Sequence, residues 1–255
     1  MTAGKSVLIL ADLHGGHSAG LTPPEYQSGD MATWQAKSWD WFRQEVETHK
    51  PEGGYDLCII NGDAIDGHGI RSGGREELSA CLLRQCKIAQ AALEELPVNK
   101  YIFIRGTPYH GGGGDAWEDV LAEMMGARIV NHLYCDIGGV VFDVKHKVGT
   151  SQIPHGRYTA IARSSLWAQI KAERGIAPKH DILIRSHAHY HIYCGDSERL
   201  SMITPALQGP FTEYGEQQCD GTTDFGFLTF NIDGGDYEWD AHLLNVDIRD
   251  DILRI

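Results

Sequence analysis

The histidines and aspartates of this chain fall where they could act together. Of thirteen histidines, several sit beside acids immediately after short apolar runs. The run 6–11 (SVLILA) leads into Asp12 and His14, and 56–61 (DLCIIN) leads into Gly62 and Asp63, with Asp66 and His68 just beyond. The run 101–105 (YIFIR) leads into Gly106, Thr107, Pro108, Tyr109 and His110. His146 lies near the end of 140–147, and 181–185 is followed by Ser186, His187, Ala188, His189, Tyr190 and His191. Each motif alone is weak. A single histidine after a strand is more often a solvated loop residue, and His-x-His pairs arise by chance, although i and i+2 of an extended segment face one side. The ordered set says more. Carboxylates and imidazoles gathered at one rim would repel or lack partners without a cation among them, so the set reads as a metal site.

Short β-type runs alternate with helical ones through the first half. The runs 6–11, 56–61 and 101–105 are continuously apolar, as strands buried on both faces are. The spacing of Trp34, Trp41, Phe42, Glu45 and Val46 predicts a helix over 31–50. A second helix is expected over 75–96, closed by Pro97. A third opens on a capping box of Asp115 and Glu118 and runs to Met125, stopped by Gly126. The second half has β-type composition over 128–134, 140–147, 181–185, 200–204, 225–232 and 237–244, with one helix over 159–174. That order implies an α/β protein whose sheet begins parallel and ends mixed, as two packed mixed β-sheets flanked by helices. No repeat or low-complexity linker divides it, so 1–255 is expected to form one domain. Side chains at the carboxyl ends of such strands converge on one crevice. Five strands therefore deliver their ligands to the same rim.

Composition narrows the function. Thirty-five acidic against 22 basic residues give a net charge of −13, which argues against extended, salt-driven binding to duplex nucleic acid. A small phosphorylated substrate stays compatible, because metal ions supply positive charge locally. A hydrophobic content of 42% excludes an intrinsically disordered chain. No apolar run approaches the roughly 20 residues that span a bilayer. The first five residues lead straight into the run 6–11, unlike a secretory signal. The six cysteines (Cys58, Cys81, Cys86, Cys135, Cys194 and Cys219) form no Cys-x-x-Cys pair and are expected to be reduced, buried thiols of a cytoplasmic protein.

The series Asp12-x-His14, Gly62-Asp63, the Gly106 to His110 segment, His146 and His187-x-His189 resembles the motif order of the calcineurin-like metallophosphoesterases along most of the chain. The resemblance implies that family's four-layer fold. It also implies hydrolysis of phosphodiester or phosphomonoester bonds by attack of a hydroxide bridging two metal ions. Carried over by position, one ion would be held by Asp12, His14, Asp63 and His189. The other would be held by Asp63 as the bridging carboxylate, His146, His187 and the third-motif residue Thr107. His155 competes with His146 for the lone-histidine position, and Ser186 stands where the family has glycine. The third motif departs from Gly-Asn-His-Asp/Glu: Thr107 replaces the asparagine, and Pro108 the histidine that assists the leaving group. His110, two residues on, is expected to reach the same space because Pro108 and the glycines re-aim the loop, which makes it the candidate general acid. This Gly-Thr-x-x-His variant is similar to phage and mobile-element members; the alternative is a weakened second metal site. Two ions about 3.5–4 Å apart would activate water and clamp phosphate oxygens. Mixed His and Asp ligands suit Mn²⁺, with Fe or Zn²⁺ as alternatives, better than Mg²⁺ or Ca²⁺.

Around the cluster, Asp66 is expected to orient a ligand histidine, and His68 and Arg157 to meet the substrate, solvated side chains being the plainer reading of both. His17 and His191 extend the motif loops, and Arg71 or Arg75 could pair with a phosphate. The glycine run 111–114 lacks the Lys-Ser/Thr of a P-loop and reads as a lid hinge. Trp34, Trp39 and Trp41 read as packing a helix on the sheet rather than stacking bases. The expected partner is a phosphorylated small molecule, nucleotide or nucleic-acid end, with no membrane involved. Three other functions compete. They are a nuclease acting on DNA or RNA ends with the same site, a non-catalytic interaction module without metal, and a mononuclear hydrolase of non-phosphate substrates.

Overall fold

The structure, a computed structural model, describes residues 4–70, 72–111, 116–151 and 153–246. Strands β1 (Lys5–Leu10), β2 (Leu57–Asn61), β3 (Tyr101–Ile104) and β4 (Arg128–Val130) lie side by side and parallel. On the other side of β1, β10 (Gly226–Asp233) pairs antiparallel with it, and β11 (Asp236–Leu243) antiparallel with β10. In the second sheet β6 (Val140–Lys147), β7 (Ile182–Ser186) and β9 (Leu200–Ile203) are parallel. Its edges, β5 (Leu133–Ile137) and β8 (Ile192–Gly195), are antiparallel to their neighbours.

The doubly apolar strand β1 explains the layering. Leu8 and Leu10 pack under helices α1 (Ala32–His49), α2 (Leu82–Glu94) and α3 (Trp117–Met124), while Val7 and Ile9 face Phe142, Ile184 and Met202 of the second sheet. On the far side α4 (Gly156–Glu173) covers Leu183 and Ile203. A short α5 (Glu213–Gln218) completes the helices. Two mixed sheets flanked by helices give the four layers that the motif order implies. Trp34, Trp39 and Trp41 all pack into the core between α1 and the first sheet. No helix among the described residues is long and apolar enough to cross a membrane.

Several sequence expectations are corrected. The helix expected over 75–96 starts at Leu82, because the preceding segment pairs with the loop after β1: Leu78 N–H donates to Gly16 O at 2.7 Å and Ser18 N–H to Glu76 O at 2.8 Å. The run 128–134 is two strands in different sheets. The chain crosses between them at Asn131, which accepts from Arg105, and His132, which meets Asp143. Strand β8 was not anticipated. Asp115 lies outside the described residues, as do Arg71 and most of the glycine run. The N-cap of α3 is Ala116, with no side-chain cap bond, so Glu118 serves elsewhere. All six cysteines are free, but only Cys58 and Cys86 are buried, and Cys81 is exposed.

Beneath α4 the buried Arg185 guanidinium lies 2.8 Å from Asp143 Oδ1, which His132 Nε2 also meets at 2.8 Å. Burial alone would raise the Asp143 carboxyl; the His132 hydrogen bond and Arg185 outweigh it and hold it at about 2, against an ordinary 3.8. A carboxylate held low stabilises the fold fully above its unfolded value and loses that contribution as pH falls through its folded one. Urea titrations should show unfolding free energy dropping by about 2 kcal/mol from this group between those limits, with a shallower pH slope in Asp143→Asn.

Candidate metal centre

The rim is built by loops that continue strand pairing past the strand ends. Asp12 N–H donates to Gly62 O at 2.9 Å, His14 N–H to Asp63 O at 3.0 Å and Gly15 N–H to Ala64 O at 3.0 Å. The loops after β1 and β2 thus stay locked together while their side chains turn toward one point. That turn requires left-handed backbone: Asp12 (φ 52°), His14 (46°), Asp63 (50°), His187 (75°) and His189 (55°) all have positive φ. Among the described residues the only other non-glycine in that region is Ala116. Each such residue costs about 1–3 kcal/mol and persists where surrounding structure enforces it. The strain therefore falls on the candidate ligands.

Two donor groups form. Asp12 Oδ1 lies 3.1 Å from His189 Nε2, which is 3.3 Å from His14 Nε2. Asp63 Oδ2 lies 3.1 Å from His146 Nε2 and 3.8 Å from His187 Nδ1. Donor atoms of Asp12, His14 and His189 fall within 4.8 Å of one another, as do those of Asp12, Asp63, His146 and His187. A third group joins Asp63 with His14 and His110. Both aspartates are therefore shared between groups.

The residues fit a cation. His146 Nδ1 is 2.6 Å from Asn61 O, a carbonyl that only accepts, so Nδ1 carries a proton and Nε2 of the neutral ring is a lone pair. That Nε2 is buried without a hydrogen-bond partner, facing the Asp63 carboxylate. Two lone pairs at that distance need a proton or a metal ion to hold them. Burial alone would lower the His146 imidazole, but Asp63 and Asp12 overcome it and push it up to about 10, the mark of a strongly negative hole. His14 is the opposite case. Burial, with His110 beside it, lowers it to about 4, so the ring is neutral and able to offer a lone pair. Its Nδ1–H points at Asp66 Oδ1, 2.7 Å away, and leaves Nε2 free for the rim. Burial opposes ionisation of Asp63, yet His146 and His187 hold it well below the usual range. Asp12 is likewise lowered against its burial by His189 and His146.

The third motif closes on Asp63. Thr107 donates its backbone N–H at 2.6 Å and its hydroxyl at 3.1 Å to Asp63 Oδ1. His110 Nδ1 donates to Asp66 O at 2.8 Å, and its ring meets that of His14 edge-on at 4.5 Å. Burial would lower His110; Asp66 and Asp63 push it up to about 9. His110 thus reaches the cluster despite its displacement.

Three supports escaped sequence reasoning. Glu118 is buried and accepts from Ala64 N–H at 3.0 Å and Gly106 N–H at 2.7 Å, tying the second and third motif loops together. Burial and the nearby Asp63 push its carboxyl up to about 7. Asn61 holds His146 through its carbonyl and Ser186 through its amide, which lies 2.6 Å from the hydroxyl. Gln85 on α2 bonds both polar backbone groups of Gly67 and so fixes the Asp66 loop. A polar residue ending an apolar strand was the available signal for Asn61; Glu118 was visible but read as a cap.

Other candidates stand apart. His155 is exposed at the start of α4, whereas His146 sits against Asp63. His17 accepts from Ala19 N–H and faces Glu76. His191 bonds Ile203 O and packs on Trp239. Arg75 pairs with Glu213. His68 is exposed on the Asp66 loop. Arg157 stacks at 4.3 Å on Tyr190, next to His189, and donates to Thr222 O at 3.1 Å. A groove of about 840 Å³ at the opposite end of β1 is lined by Lys5, Asp56 and Asn231 and contains none of the rim residues.

The sequence matches no family model and no curated protein. Solved structures resemble the chain in outline. Vacuolar protein sorting 29 from Cryptosporidium parvum is 13% identical over 95% of this chain and 99% of its own, with a TM-score of 0.48. An archaeal phosphodiesterase is 12% identical over 93% and 99%, also at 0.48. Vps29 from Entamoeba histolytica, solved with Zn²⁺, is 13% identical over 94% and 99%, at 0.45. At these scores the chemistry is carried by the side chains described above.

Proposed function

We propose that the chain is a calcineurin-like metallophosphoesterase, a single catalytic domain that hydrolyses phosphodiester or phosphomonoester bonds with two divalent transition-metal ions. The observation that carries this reading is the partnerless His146 Nε2 facing Asp63 Oδ2 at 3.1 Å in a buried rim. Asp12, His14 and His189 would hold one ion, and Asp63, His146 and His187 the other, with an aspartate shared. Bound ions supply Lewis acidity toward water and phosphoryl oxygen. Mixed imidazole and carboxylate donors favour Mn²⁺, Fe or Zn²⁺.

The protein's own groups do the rest. Thr107, with both its donors on Asp63, fixes that carboxylate's direction, and any contact with an ion uses the hydroxyl's remaining lone pair. His110 is anchored through Nδ1, so Nε2 is the atom that would deliver a proton to the leaving oxygen. Asp66 orients both His14 and His110. Arg157, stacked on Tyr190, and the exposed His68 on the Asp66 loop would meet the substrate's charge only by leaving their present positions. The acidic surface favours small phosphoesters and nucleotides over long duplexes.

The test is a rate panel: a chromogenic phosphodiester, a chromogenic phosphomonoester and single-stranded DNA, each with Mn²⁺ and with chelator. Turnover of one of the esters, lost on chelation and restored by Mn²⁺, is the expected result. Chelation should also lower the melting temperature, because an ion bound only by the folded state stabilises it by RT ln(1 + [L]/Kd), about 2.7 kcal/mol at a hundredfold excess over Kd. A melting curve indifferent to Mn²⁺, with no turnover, would leave a non-catalytic interaction module.

A further inference from the structure

Outside the rim, the described residues contain one further cluster with metal-ligand geometry: Glu45, His49 and His242. Glu45 and His49 are one turn apart near the carboxyl end of α1, and His242 lies on the edge strand β11. Glu45 Oε1 is 3.1 Å from His49 Nε2 and 3.1 Å from His242 Nδ1. The two imidazole centroids are 4.4 Å apart. Tetrahedral zinc with bonds of about 2.0–2.2 Å separates its ligand atoms by about 3.3–3.6 Å, so only a small spreading of the trio would admit one.

The buried member is held ready. His242 is 6% exposed, stacked on Phe227 at 4.7 Å, with Nε2 2.9 Å from Thr229 Oγ1. An Nε2–H donated to that hydroxyl leaves the Nδ1 lone pair aimed at Glu45, the arrangement metal-binding histidines adopt. Without an ion, two imidazoles would have to share one carboxylate oxygen. Asp240, two residues earlier in β11 and so on the same strand face, adds negative charge. His49 and Glu45 are partly solvent-exposed, which leaves room for water as a fourth ligand.

We propose that Glu45, His49 and His242 bind a zinc ion independent of the rim, clamping the carboxyl end of α1 to edge strand β11. The donor set is two imidazoles and one carboxylate, which suits zinc better than calcium or magnesium. Its role is to tie the helix layer to the sheet's free edge.

The experiment uses the full chain stripped with chelator, then dialysed against Zn²⁺, with bound metal and melting temperature measured. Wild type, His49→Ala and Glu45→Gln are compared, with Asp63→Asn reporting on the rim separately. His49 is half exposed, so its alanine variant should fold, and circular dichroism checks this. The expected result is about one zinc equivalent lost in His49→Ala and in Glu45→Gln. Their zinc-induced rise in melting temperature should also be smaller, while phosphoester turnover is unchanged. Asp63→Asn should still bind the zinc that His49→Ala loses. Equal zinc content in wild type and a folded His49→Ala overturns the proposal whatever happens at the rim. So does an Asp63→Asn protein whose zinc content His49→Ala does not reduce further.

Discussion

Asp63→Asn is expected to abolish phosphoester turnover, lowering kcat/KM by at least ~10³-fold, on the order of 4 kcal/mol of transition-state stabilisation, while leaving the metal-free fold as stable as wild type or more so. The two halves of that result have one cause. The asparagine oxygen can keep the Thr107 N–H and hydroxyl bonds that Oδ1 accepts. The amide nitrogen then takes the Oδ2 position, 3.1 Å from His146 Nε2, and donates to the atom that lacks a partner. A neutral hydrogen bond replaces the buried imidazolium–carboxylate pair to which His146, pushed up to about 10, and Asp63 are driven without an ion, and both buried charges disappear. Exchanging a buried ion pair for a neutral, hydrogen-bonded pair is neutral to mildly stabilising, because the desolvation cost of both charges is removed. Elemental analysis should show metal lost from the rim, and chelated Asp63→Asn should melt at or above chelated wild type. A variant that stays active with full metal content would mean that Asp63 does not hold an ion. One that loses activity only by unfolding would mean that its role is structural.

How far the sequence could be read differs by element, for physical reasons. Strands β1 and β2 are buried on both faces and β3 over its second half, so burial writes itself into an unbroken apolar run, and their ends locate the candidate ligands. The candidate ligands Asp12, His14, Asp63, His146, His187 and His189 could be picked out for that reason, and the fold gathers their donor atoms into two groups. The start of α2 was not, because 75–81 carries helix-compatible residues whose backbone groups are taken by the loop after β1. Local pattern cannot report a partner sixty residues away. The split of 128–134 was hidden for a similar reason: Asn131 and His132 leave the strand to meet Arg105 and Asp143 on other elements. Glu118 shows the same limit at the site itself. Its spacing from Asp115 suited a helix cap, but its carboxylate is taken by Ala64 and Gly106. Choosing His146 over His155 also needed the fold, since only the strand position brings an imidazole to Asp63.

Gly106→Ala is expected to cost the centre about 10–100-fold in activity or metal affinity, although Gly106 carries no side chain. A Cβ at this position would lie 2.0 Å from Asp63 Oδ1 and 2.2 Å from Asp63 N. Neither atom is free to yield. Asp63 O accepts from His14 N–H, and its carboxylate is gripped by Thr107 and faces His146. Gly106 itself is tied by its N–H to Glu118 at 2.7 Å. Relief must therefore separate the second and third motif loops, at the cost of the Glu118 bridge or the Thr107 bonds. Overpacking of this kind costs about 1–3 kcal/mol, and a ligand shifted by its supports loses about 10–100-fold in metal affinity or activity. Gly111→Ala, in the same loop, is the matched control: its Cβ would meet Thr107 O at 3.5 Å, an ordinary contact. Measured side by side, Gly111→Ala should keep near-wild-type turnover and melting temperature, whereas Gly106→Ala should lose Mn²⁺-dependent activity and melt lower. Equal behaviour of the two variants would mean that the loop after β3 does not press on Asp63. The Thr107 and Glu118 contacts would then have no part in positioning the carboxylate.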